Sequence, residues 1–447
     1  LTQIDPAEIG CLGISGHSLG VVPLDKEGRL LRDTTPIWSD SRAQAQASEL
    51  FMRVPEDDWY LLTGNGFPAP LYSVFKIMWY RDTEPDLFNR TAKVIGTKDY
   101  LNYRLTGRIA TDFSYASGSG VYDLLNWKYS APLISASLLP EEIFPEILPS
   151  TEVIGTLTPG AAAALGLHPR VQVVAGGVDN SCMALGARNI KEGSVYNSQG
   201  SSSWIAVTSS KPIFEKRFRP FIFAHVMPGL FNSAIPVFSS GSSFRWLRDT
   251  LCPDLVEQAK REGKDVYALM TAIAAQSKPG ARGLLFSPNL AGGSSIDESI
   301  HIRGAFIGLD LSHTRAEVIR SVMEGIALEM RLALEPLRAL LAISDEMIVV
   351  GGGSRSKLWR QIYADVYKMR VVKTNIDQQA AALGAAAIAA VGTGIWKDFQ
   401  IVDQIHQVIE AVDPLAENVE IYDRLMPVFK KASHYLADLG DDVASLG

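Results

Sequence analysis

Apolar residues recur along this chain with two periods, one typical of helices and one typical of strands. From Thr314 to Leu341 they return every three or four positions, which predicts a long helix with one apolar face. Thr314 and Glu317 form a capping-box pattern at its start. Further helices are predicted at 41–52, 71–82, 97–105, 181–186, 357–367 and, as an Ala- and Gly-rich buried helix, 380–396.

Short apolar segments bounded by turn residues predict strands between these helices. They lie at 9–14, 21–24, 171–175, 194–197, 203–207, 347–350 and 370–373. The segments on either side of 199–202 predict a hairpin with its turn there. Because strands and helices alternate, we predict a layered α/β architecture.

The chain has 447 residues, more than one hydrophobic core usually supports, so two domains are expected. We place the boundary near Arg188, which gives an N-terminal domain of residues 1–188 and a C-terminal domain of residues 189–447. The formal net charge of −7 disfavours a nucleic-acid partner, because phosphate backbones need a basic surface.

The sparse cysteines, Cys11, Cys182 and Cys252, form neither a disulfide framework nor a metal-ligand pattern and indicate a reducing compartment. The first ten residues do not resemble a secretory signal, so a cytoplasmic protein is expected. Segment 380–396 is too weakly apolar to span a bilayer, and no membrane partner is expected.

Three glycine-containing turns, at 176–177, 200–202 and 351–353, each follow a predicted strand and are candidate phosphate-binding elements. Glycine lets backbone N–H groups approach an anion closely, and a following helix N-terminus adds partial positive charge. A single turn of this kind is more readily explained by steric needs alone. The functional interpretation therefore depends on the side chains nearby.

Asp179 follows the first of these turns and is the strongest acid–base candidate in the chain. Phosphoryl transfer to a hydroxyl needs a carboxylate that orients the hydroxyl and takes its proton, while Mg²⁺ neutralises the phosphates. The structural alternative is that Asp179 only caps the helix that follows.

The loop 36–42 brings Trp38, Asp40 and Arg42 together before a predicted helix. A Trp ring can stack on the C–H face of a sugar, and a carboxylate can accept hydrogen bonds from neighbouring hydroxyls. The alternative is a helix cap made by Asp40 or Ser41, with Trp38 in the core.

In their order along the chain, these segments resemble the FGGY family of carbohydrate kinases. Residues 12–20 resemble the family's first strand and substrate loop, residues 37–42 its Trp-x-Asp-x-Arg loop, and residues 176–180 the element that carries its catalytic Asp. Further matches lie at 98–101, 105–107, 111–112, 200–202, 351–356, 359–366 and 382–386. Each piece is short, but their joint order is highly specific.

The resemblance implies an α/β fold of two ribonuclease-H-like (actin-like ATPase) domains with a cleft between them. It also implies ATP-dependent phosphorylation of a hydroxyl of a ketose, polyol or related sugar, as in xylulose kinases, with ATP and Mg²⁺ as cofactors. Asp179 would be the general base and a neighbour of Mg²⁺. The substrate would be bound by His17, Trp38, Asp40 and Asn180. The nucleotide would be bound by Gly200, Ser201, Ser202, Gly241, Gly352, Gly353 and Ser356.

Two features depart from the family pattern. Leu19 stands where the substrate loop of xylulose kinases has a His, which leaves the identity of the sugar open. The family also opens with a strand and an Asp-x-Gly-Thr phosphate loop, and no such motif precedes the first predicted strand here. We therefore expect the opening hairpin to be missing and the activity of the chain to be impaired. The oligomeric state, including a homodimer, is open as well.

Three alternatives to a xylulose kinase-like activity remain. A nicotinamide dehydrogenase would use Gly351–Gly353 after a strand, but Ser356 occupies the place of the third fingerprint glycine. A non-catalytic sugar- or nucleotide-binding fragment would explain a missing phosphate loop, whereas Asp179 argues against it. A kinase for a different polyhydroxy molecule is the third. ATP turnover with a panel of sugars, compared with nucleotide binding alone, separates the enzymes from the binding module.

Overall fold

The computed structural model describes residues 4–66 and 68–446. Its strands are, in chain order, β1 (Cys11–Leu12), β2 (Ser15–Gly16), β3 (Val22–Leu24), β4 (Lys93–Ile95), β5 (Thr111–Asp112), β6 (Tyr122–Asp123), β7 (Lys128–Tyr129), β8 (Ile147–Leu148), β9 (Val153–Thr156), β10 (Gln172–Val174), β11 (Gly177–Val178), β12 (Val195–Gln199), β13 (Ser203–Ser209), β14 (Phe221–Ala224), β15 (Phe231–Val237), β16 (Leu285–Ser287), β17 (Ala305–Ile307), β18 (Glu346–Gly351), β19 (Arg370–Thr374) and β20 (Val408–Val412).

Its helices are α1 (Gln44–Phe51), α2 (Glu56–Thr63), α3 (Ser73–Thr83), α4 (Pro85–Arg90), α5 (Thr97–Thr106), α6 (Phe113–Ala116), α7 (Ala131–Ser137), α8 (Pro159–Leu165), α9 (Asp179–Gly186), α10 (Gly241–Leu251), α11 (Pro253–Glu262), α12 (Val266–Ala274), α13 (Arg315–Leu340), α14 (Lys357–Tyr367), α15 (Ala380–Gly392), α16 (Ile401–Ile405) and α17 (Ala416–Ala444). The predicted α/β architecture and all of the predicted helices are confirmed; α14 has the predicted bounds, and the other helices have shifted ends.

The chain forms two compact units. Unit 1 contains the chain up to Glu192 together with Thr208–Ser233 and Gln379–Ile405, and unit 2 contains the remaining stretches. A single linear boundary does not describe these units, because two later stretches return to unit 1. The predicted domain boundary near Arg188 stays a prediction.

Unit 1 is built from small sheets and a layer of helices. β1 pairs in parallel with β10, and β2 pairs in parallel with β11. The helices α1, α2 and α3 pack around a core that is rich in buried aromatic side chains, among them Trp59, Tyr60, Tyr72, Phe75 and Tyr80. This core carries the loops that precede α1, whereas the paired strands carry the segments around residues 17 and 179.

Unit 2 contains the strands β13, β12, β18, β19 and β20 side by side in that order. β12 and β18 are parallel, with Gln199 opposite Gly351, so both strands end at the same level. β12 and β13 form the predicted hairpin, and its turn is Gly200–Ser202. The turns after β12 and β18 therefore lie at the same edge of the sheet, where ligands bind in open α/β sheets.

Local chemistry explains two shifted helix ends. α13 begins at Arg315 because Thr314 caps it: the Thr314 N–H donates to a Glu317 carboxylate oxygen at 2.9 Å, which confirms the capping box. α1 begins at Gln44 rather than at residue 41, since the side chain of Asp40 bonds to Arg42 and does not cap the helix.

Among residues 4–66 and 68–446, no helix has the length and apolar character that are needed to cross a membrane. Cys11, Cys182 and Cys252 are free thiols, so the described fold uses none of them as a cross-link.

Helices α9 and α15 of unit 1 cross at unusually short range through two glycines. A Cβ atom on Gly384 would lie 1.9 Å from the Cys182 carbonyl oxygen, and one on Gly186 would lie 1.7 Å from the Ala380 carbonyl oxygen. Neither backbone oxygen can move without shifting its helix. Because α9 begins at Asp179, this packing also positions the candidate general base.

We expect Gly384→Ala to lower the stability of unit 1 by about 1–3 kcal/mol through overpacking. The matched control is Gly160→Ala in α8, where no atom lies within 4 Å of the added Cβ. That control should gain about 0.5–1 kcal/mol, because Ala favours the helix. Thermal unfolding of both variants tests the prediction, and equal melting temperatures would contradict it.

Candidate active site

Asp179 lies at the end of the β2–β11 pair. Ser15 is opposite Gly177 and Gly16 is opposite Val178, so His17 and Asp179 each directly follow a paired strand end. Gly176 makes this approach possible: its φ is +75°, and a Cβ atom there would lie 2.4 Å from the Ile14 carbonyl oxygen. The predicted candidates His17, Asp179 and Asn180 are thereby brought to one place.

Asp179 does not cap α9. The N-cap residue is Val178, and the hydrogen bond recorded for the Asp179 carboxylate comes from the neighbouring Asn180 N–H, at 2.8 Å. Burial raises the pKa of Asp179 to about 6, with the Asn180 N–H and the charge of His17 partly offsetting it. Within residues 4–66 and 68–446, Asp179 forms no ion pair with Lys or Arg. A carboxylate of this kind can accept a proton near neutral pH.

A buried polar network holds β11, the strand that precedes Asp179. The Val178 N–H donates to Ser114 Oγ at 2.9 Å, and Ser114 Oγ donates to the Asp112 carboxylate. Asp112 forms an ion pair with Lys98 at 2.9 Å, and Lys98 also pairs with Asp99 at 2.6 Å. The side chains of Lys98, Asp99 and Asp112 are fully buried, so this network fixes the main chain that leads to Asp179.

Trp38 and Asp40 lie on the loop between β3 and α1. The Trp38 side chain is exposed, with 39% of its surface accessible, so it is not the core residue of the structural alternative. Arg42 donates to both carboxylate oxygens of Asp40, with one N–O distance of 2.7 Å, and its side chain holds the pKa of Asp40 below the usual range. Asp40 is therefore a carboxylate that accepts hydrogen bonds at neutral pH.

Lys76 of α3 was not singled out by the sequence patterns. Its side chain is fully buried, and its ammonium group donates to the carbonyl oxygens of Leu19 at 3.1 Å and Ile37 at 2.8 Å. These two carbonyls belong to the loops that carry His17 and Trp38. A lone lysine within an amphipathic helix pattern carries no local signal for such a role.

Unit 2 contains a cavity of about 570 Å³ at the sheet edge where β12 and β18 end. This volume is in the range of sites for nucleotide-sized ligands. Most predicted nucleotide-binding residues line it, namely Gly200, Ser201, Gly241, Gly352, Gly353 and Ser356. Ser202 is not among the lining residues, and the side chain of Ser356 also caps α14 through the Trp359 N–H.

The cavity has a cationic wall and an aromatic wall that the sequence patterns did not reveal. Arg245 donates to the Ser201 hydroxyl at 2.6 Å, at the turn between β12 and β13. Phe244 stacks on Tyr267 with 5.7 Å between ring centroids and meets Trp359 edge to face. Phe244 and Arg245 lie in the first turns of α10, which begins at Gly241. Their position just after this predicted glycine is the local sequence signal that could have pointed to them.

The donor set fits ATP and a cation that ATP brings. The cavity is lined by glycine turns, which let a ligand approach the main chain closely, and by the Arg245 guanidinium and aromatic side chains that suit a base. Within the described part of the chain, no three His, Cys, Asp or Glu side chains form a metal-binding group. Mg²⁺ is usually held by one or two carboxylates and by substrate phosphates, so a single protein carboxylate can meet its needs, and Asp179 stays the predicted one.

Comparisons with known proteins agree with this chemistry. The model of the FGGY family of carbohydrate kinases matches with its N-terminal domain at residues 1–186 and with its C-terminal domain at residues 195–393. The chain is 28% identical over 450 residues to a xylulose kinase of Bacillus subtilis, covering 100% of this chain and 87% of that protein. It is 29% identical over 437 residues to a gluconokinase of Bacillus licheniformis, covering 97% of this chain and 84% of that protein.

Among solved structures, the xylulose kinase from Rhodospirillum rubrum superimposes with a TM-score of 0.86 at 30% identity, covering 97% of this chain and 85% of that chain. These matches do not bear out the expected loss of an opening hairpin. The two family domains together span most of the chain. The chain therefore belongs to the FGGY family of carbohydrate kinases.

Proposed function

We propose that this carbohydrate kinase transfers the terminal phosphoryl group of ATP to a hydroxyl of an uncharged ketose or polyol, with Asp179 as the general base. The observation that carries the proposal is the environment of Asp179. It directly follows a strand paired with the His17 strand, and burial raises its pKa to about 6. A base with such a pKa is ionised at neutral pH and still basic enough to take a proton.

In the proposed mechanism, the sugar binds to unit 1 with its ring or chain against Trp38 and its hydroxyls at His17, Asp40 and Asn180. The Asp179 carboxylate accepts a hydrogen bond from the reacting hydroxyl and takes its proton as the hydroxyl oxygen attacks the terminal phosphorus of ATP. The bond from that phosphorus to its bridging oxygen breaks, and ADP leaves with the electron pair. The rate gain comes mainly from this orientation and from charge neutralisation, as in other phosphoryl transfers.

ATP is proposed to occupy the cavity of unit 2, with its base against the Phe244 and Tyr267 rings and its phosphates at Gly200, Ser201 and Arg245. Mg²⁺, when bound to ATP, would neutralise phosphate charge, and Asp179 is the protein carboxylate that we propose for it. No other residue of the described chain is assigned to the cation.

The charges around the sugar loops favour an uncharged acceptor over a sugar acid. A substrate carboxylate would need an available cation, but Arg42 is paired with Asp40 and Arg32 is paired with Glu84. Lys76 is bonded to main-chain carbonyls. Sugar acids remain the second candidate class, because gluconokinases are among the relatives at 29% identity.

The test is a coupled ADP-release screen over pentuloses, hexuloses, polyols and sugar acids. We expect at least one neutral ketose or polyol to support turnover and sugar acids to be poorer substrates. Turnover only with sugar acids would contradict the proposed substrate class. ATP binding without turnover on any compound would favour a binding module instead. Cytoplasmic location and a homodimer stay predictions.

Arg245→Ala tests the proposed phosphate contact. We expect the KM for ATP to rise by about 10- to 100-fold, the usual value of a charge-assisted hydrogen bond, with little change in the KM for the sugar. Arg261→Ala on α11 is the matched control, because Arg261 does not line the cavity. Steady-state kinetics with ATP and sugar varied separately measures both constants, and an equal rise in both KM values would remove Arg245 from the nucleotide site.

A further inference from the structure

Lys76 is an unusual buried cation in unit 1. It lies at the end of the first turn of α3, and none of its surface is accessible. Its Nζ donates to the main-chain oxygens of Leu19, Ile37 and Trp38 at 3.1, 2.8 and 3.4 Å. An ammonium group has three N–H donors, and these three carbonyls use all of them. Lys76 therefore has no donor left for a substrate.

No carboxylate compensates this charge directly. Within residues 4–66 and 68–446, Lys76 forms no ion pair, and Asp40, the acid whose charge acts on it, is bonded to Arg42. Burial lowers the pKa of Lys76 to about 8, with the Asp40 charge opposing and the Arg42 charge reinforcing the change. Such a group is costly, so its three carbonyl contacts must stabilise something that an apolar side chain cannot.

The three carbonyls come from two loops that are far apart in sequence. Leu19 lies in the loop 17–20, which contains His17 and directly follows β2. Ile37 and Trp38 lie in the loop that leads to Asp40. Leu19 has a φ of +62°, a conformation that is unfavourable for a Leu residue and that needs outside contacts to persist.

Other contacts, which do not involve Lys76, also hold the loop 17–20 in place. The Gly20 N–H donates to the Tyr115 hydroxyl at 3.1 Å, and a Cβ atom on Gly20 would lie 3.3 Å from His17 Cε1. His17 itself bonds through Nδ1 to the Ser18 carbonyl oxygen at 2.9 Å. A shift of the Leu19 carbonyl would therefore displace His17.

We propose that Lys76 is a positioning residue of the sugar site, whose ammonium group joins the loop 17–20 to the loop 37–40 and so sets the distance between His17 and the pair Trp38 and Asp40. This inference rests on the proposed function, because it takes those three side chains as sugar contacts. Lys76 acts through the main chain and does not touch the substrate. Its removal should separate the two halves of the sugar site while leaving the nucleotide cavity of unit 2 unchanged.

The test compares Lys76→Met, which keeps an unbranched apolar chain and removes the donors, with Lys76→Gln, which keeps two N–H donors. We expect Lys76→Met to raise the KM for the sugar by at least about tenfold, because small misplacements of binding groups have effects of this size or larger. Lys76→Gln should show a smaller rise. The KM for ATP should stay within about twofold in both.

The matched control is Lys93→Met in β4 of the same unit. Lys93 donates to the Phe144 carbonyl oxygen at 3.0 Å. The substitution therefore removes another lysine–carbonyl hydrogen bond of unit 1, one that does not involve the sugar loops. Its KM for the sugar should stay near the wild-type value. A KM for the sugar in Lys76→Met that equals the control, or a rise in the KM for ATP of the same size, would overturn the proposal.

Two further measurements keep the outcomes separate. His17→Ala raises the KM for the sugar if the proposed site is right, so a normal KM in that variant rejects the site itself rather than the role of Lys76. If the Lys76 variants do not fold, hydrogen exchange of the wild-type protein tests the joining role instead. Addition of sugar without ATP should protect the amides of residues 17–20 and 37–40 from exchange, with the same apparent Kd for both loops. Protection of only one of these loops would overturn the joining role.

Discussion

Replacing Asp179 by Asn should lower kcat by about two to four orders of magnitude, the usual contribution of a general base. The amide keeps the shape of the side chain but cannot take the proton of the reacting hydroxyl. Sugar binding should survive, because His17, Trp38 and Asp40 are unchanged. Steady-state kinetics and sugar binding by calorimetry check both parts, and near-normal turnover would show that Asp179 is not the base.

The same variant should be more stable than the wild-type protein. The pKa of Asp179 is about 6 in the folded chain against 3.8 for an unperturbed aspartate, so ionisation is less favourable in the folded than in the unfolded state. Each pKa unit corresponds to about 1.4 kcal/mol, so Asp179→Asn should gain up to about 3 kcal/mol above pH 6. The gain should vanish as the pH falls below 4, where the wild-type carboxyl is protonated in both states.

The pH profile provides an independent check on Asp179. Because the base must be ionised to accept a proton, kcat/KM of the wild-type protein should fall as the pH drops through about 6. Asp179→Asn should lose this acidic limb. Asp57→Asn, at a partly exposed position paired with Lys216 and Arg219, is the control and should keep the wild-type profile.

Lys98→Met should destabilise unit 1 by about 3–5 kcal/mol, the usual result of breaking a buried ion pair from one side. The methionine leaves Asp99 and Asp112 buried without their cation, and the Ala175 carbonyl loses its hydrogen bond from Lys98. Burial and the charge of Asp112 already raise the pKa of Asp99, while Lys98 opposes this. The variant should therefore regain stability as the pH falls and the Asp99 carboxyl group takes up a proton.

Hydrogen exchange of peptides from α5 and β10 during urea unfolding measures unit 1 separately from unit 2. Lys216→Met is the control, since Lys216 pairs with Asp57 at 3.2 Å on the surface, and such pairs contribute about 0–1 kcal/mol. A Lys98 variant that loses no more stability than this control would show that the network is not what holds the β11 segment.

Several features of the fold follow from neighbours in the sequence. The period of apolar residues predicts α13, and Thr314 with Glu317 predicts its first turn, because both involve contacts within one or two helical turns. The hairpin of β12 and β13 is equally local. The start of α1 was predicted three residues too early. Asp40 bonds to Arg42 instead of capping a helix, and the spacing of apolar residues does not show this bond.

The sequence by itself determined which glycine turns follow strands and which carboxylate follows the first of them, because these are properties of adjacent residues. Only the tertiary structure decided that β2 and β11 pair, which brings His17 to Asp179, and that Lys76 reaches under two separate loops. It also decided that Phe244, Arg245 and Tyr267 share a cavity with the turn Gly200–Ser202. Contacts of this kind depend on how distant segments pack together. The total free energy of the fold selects that packing, and the spacing of apolar residues along the chain does not reveal it.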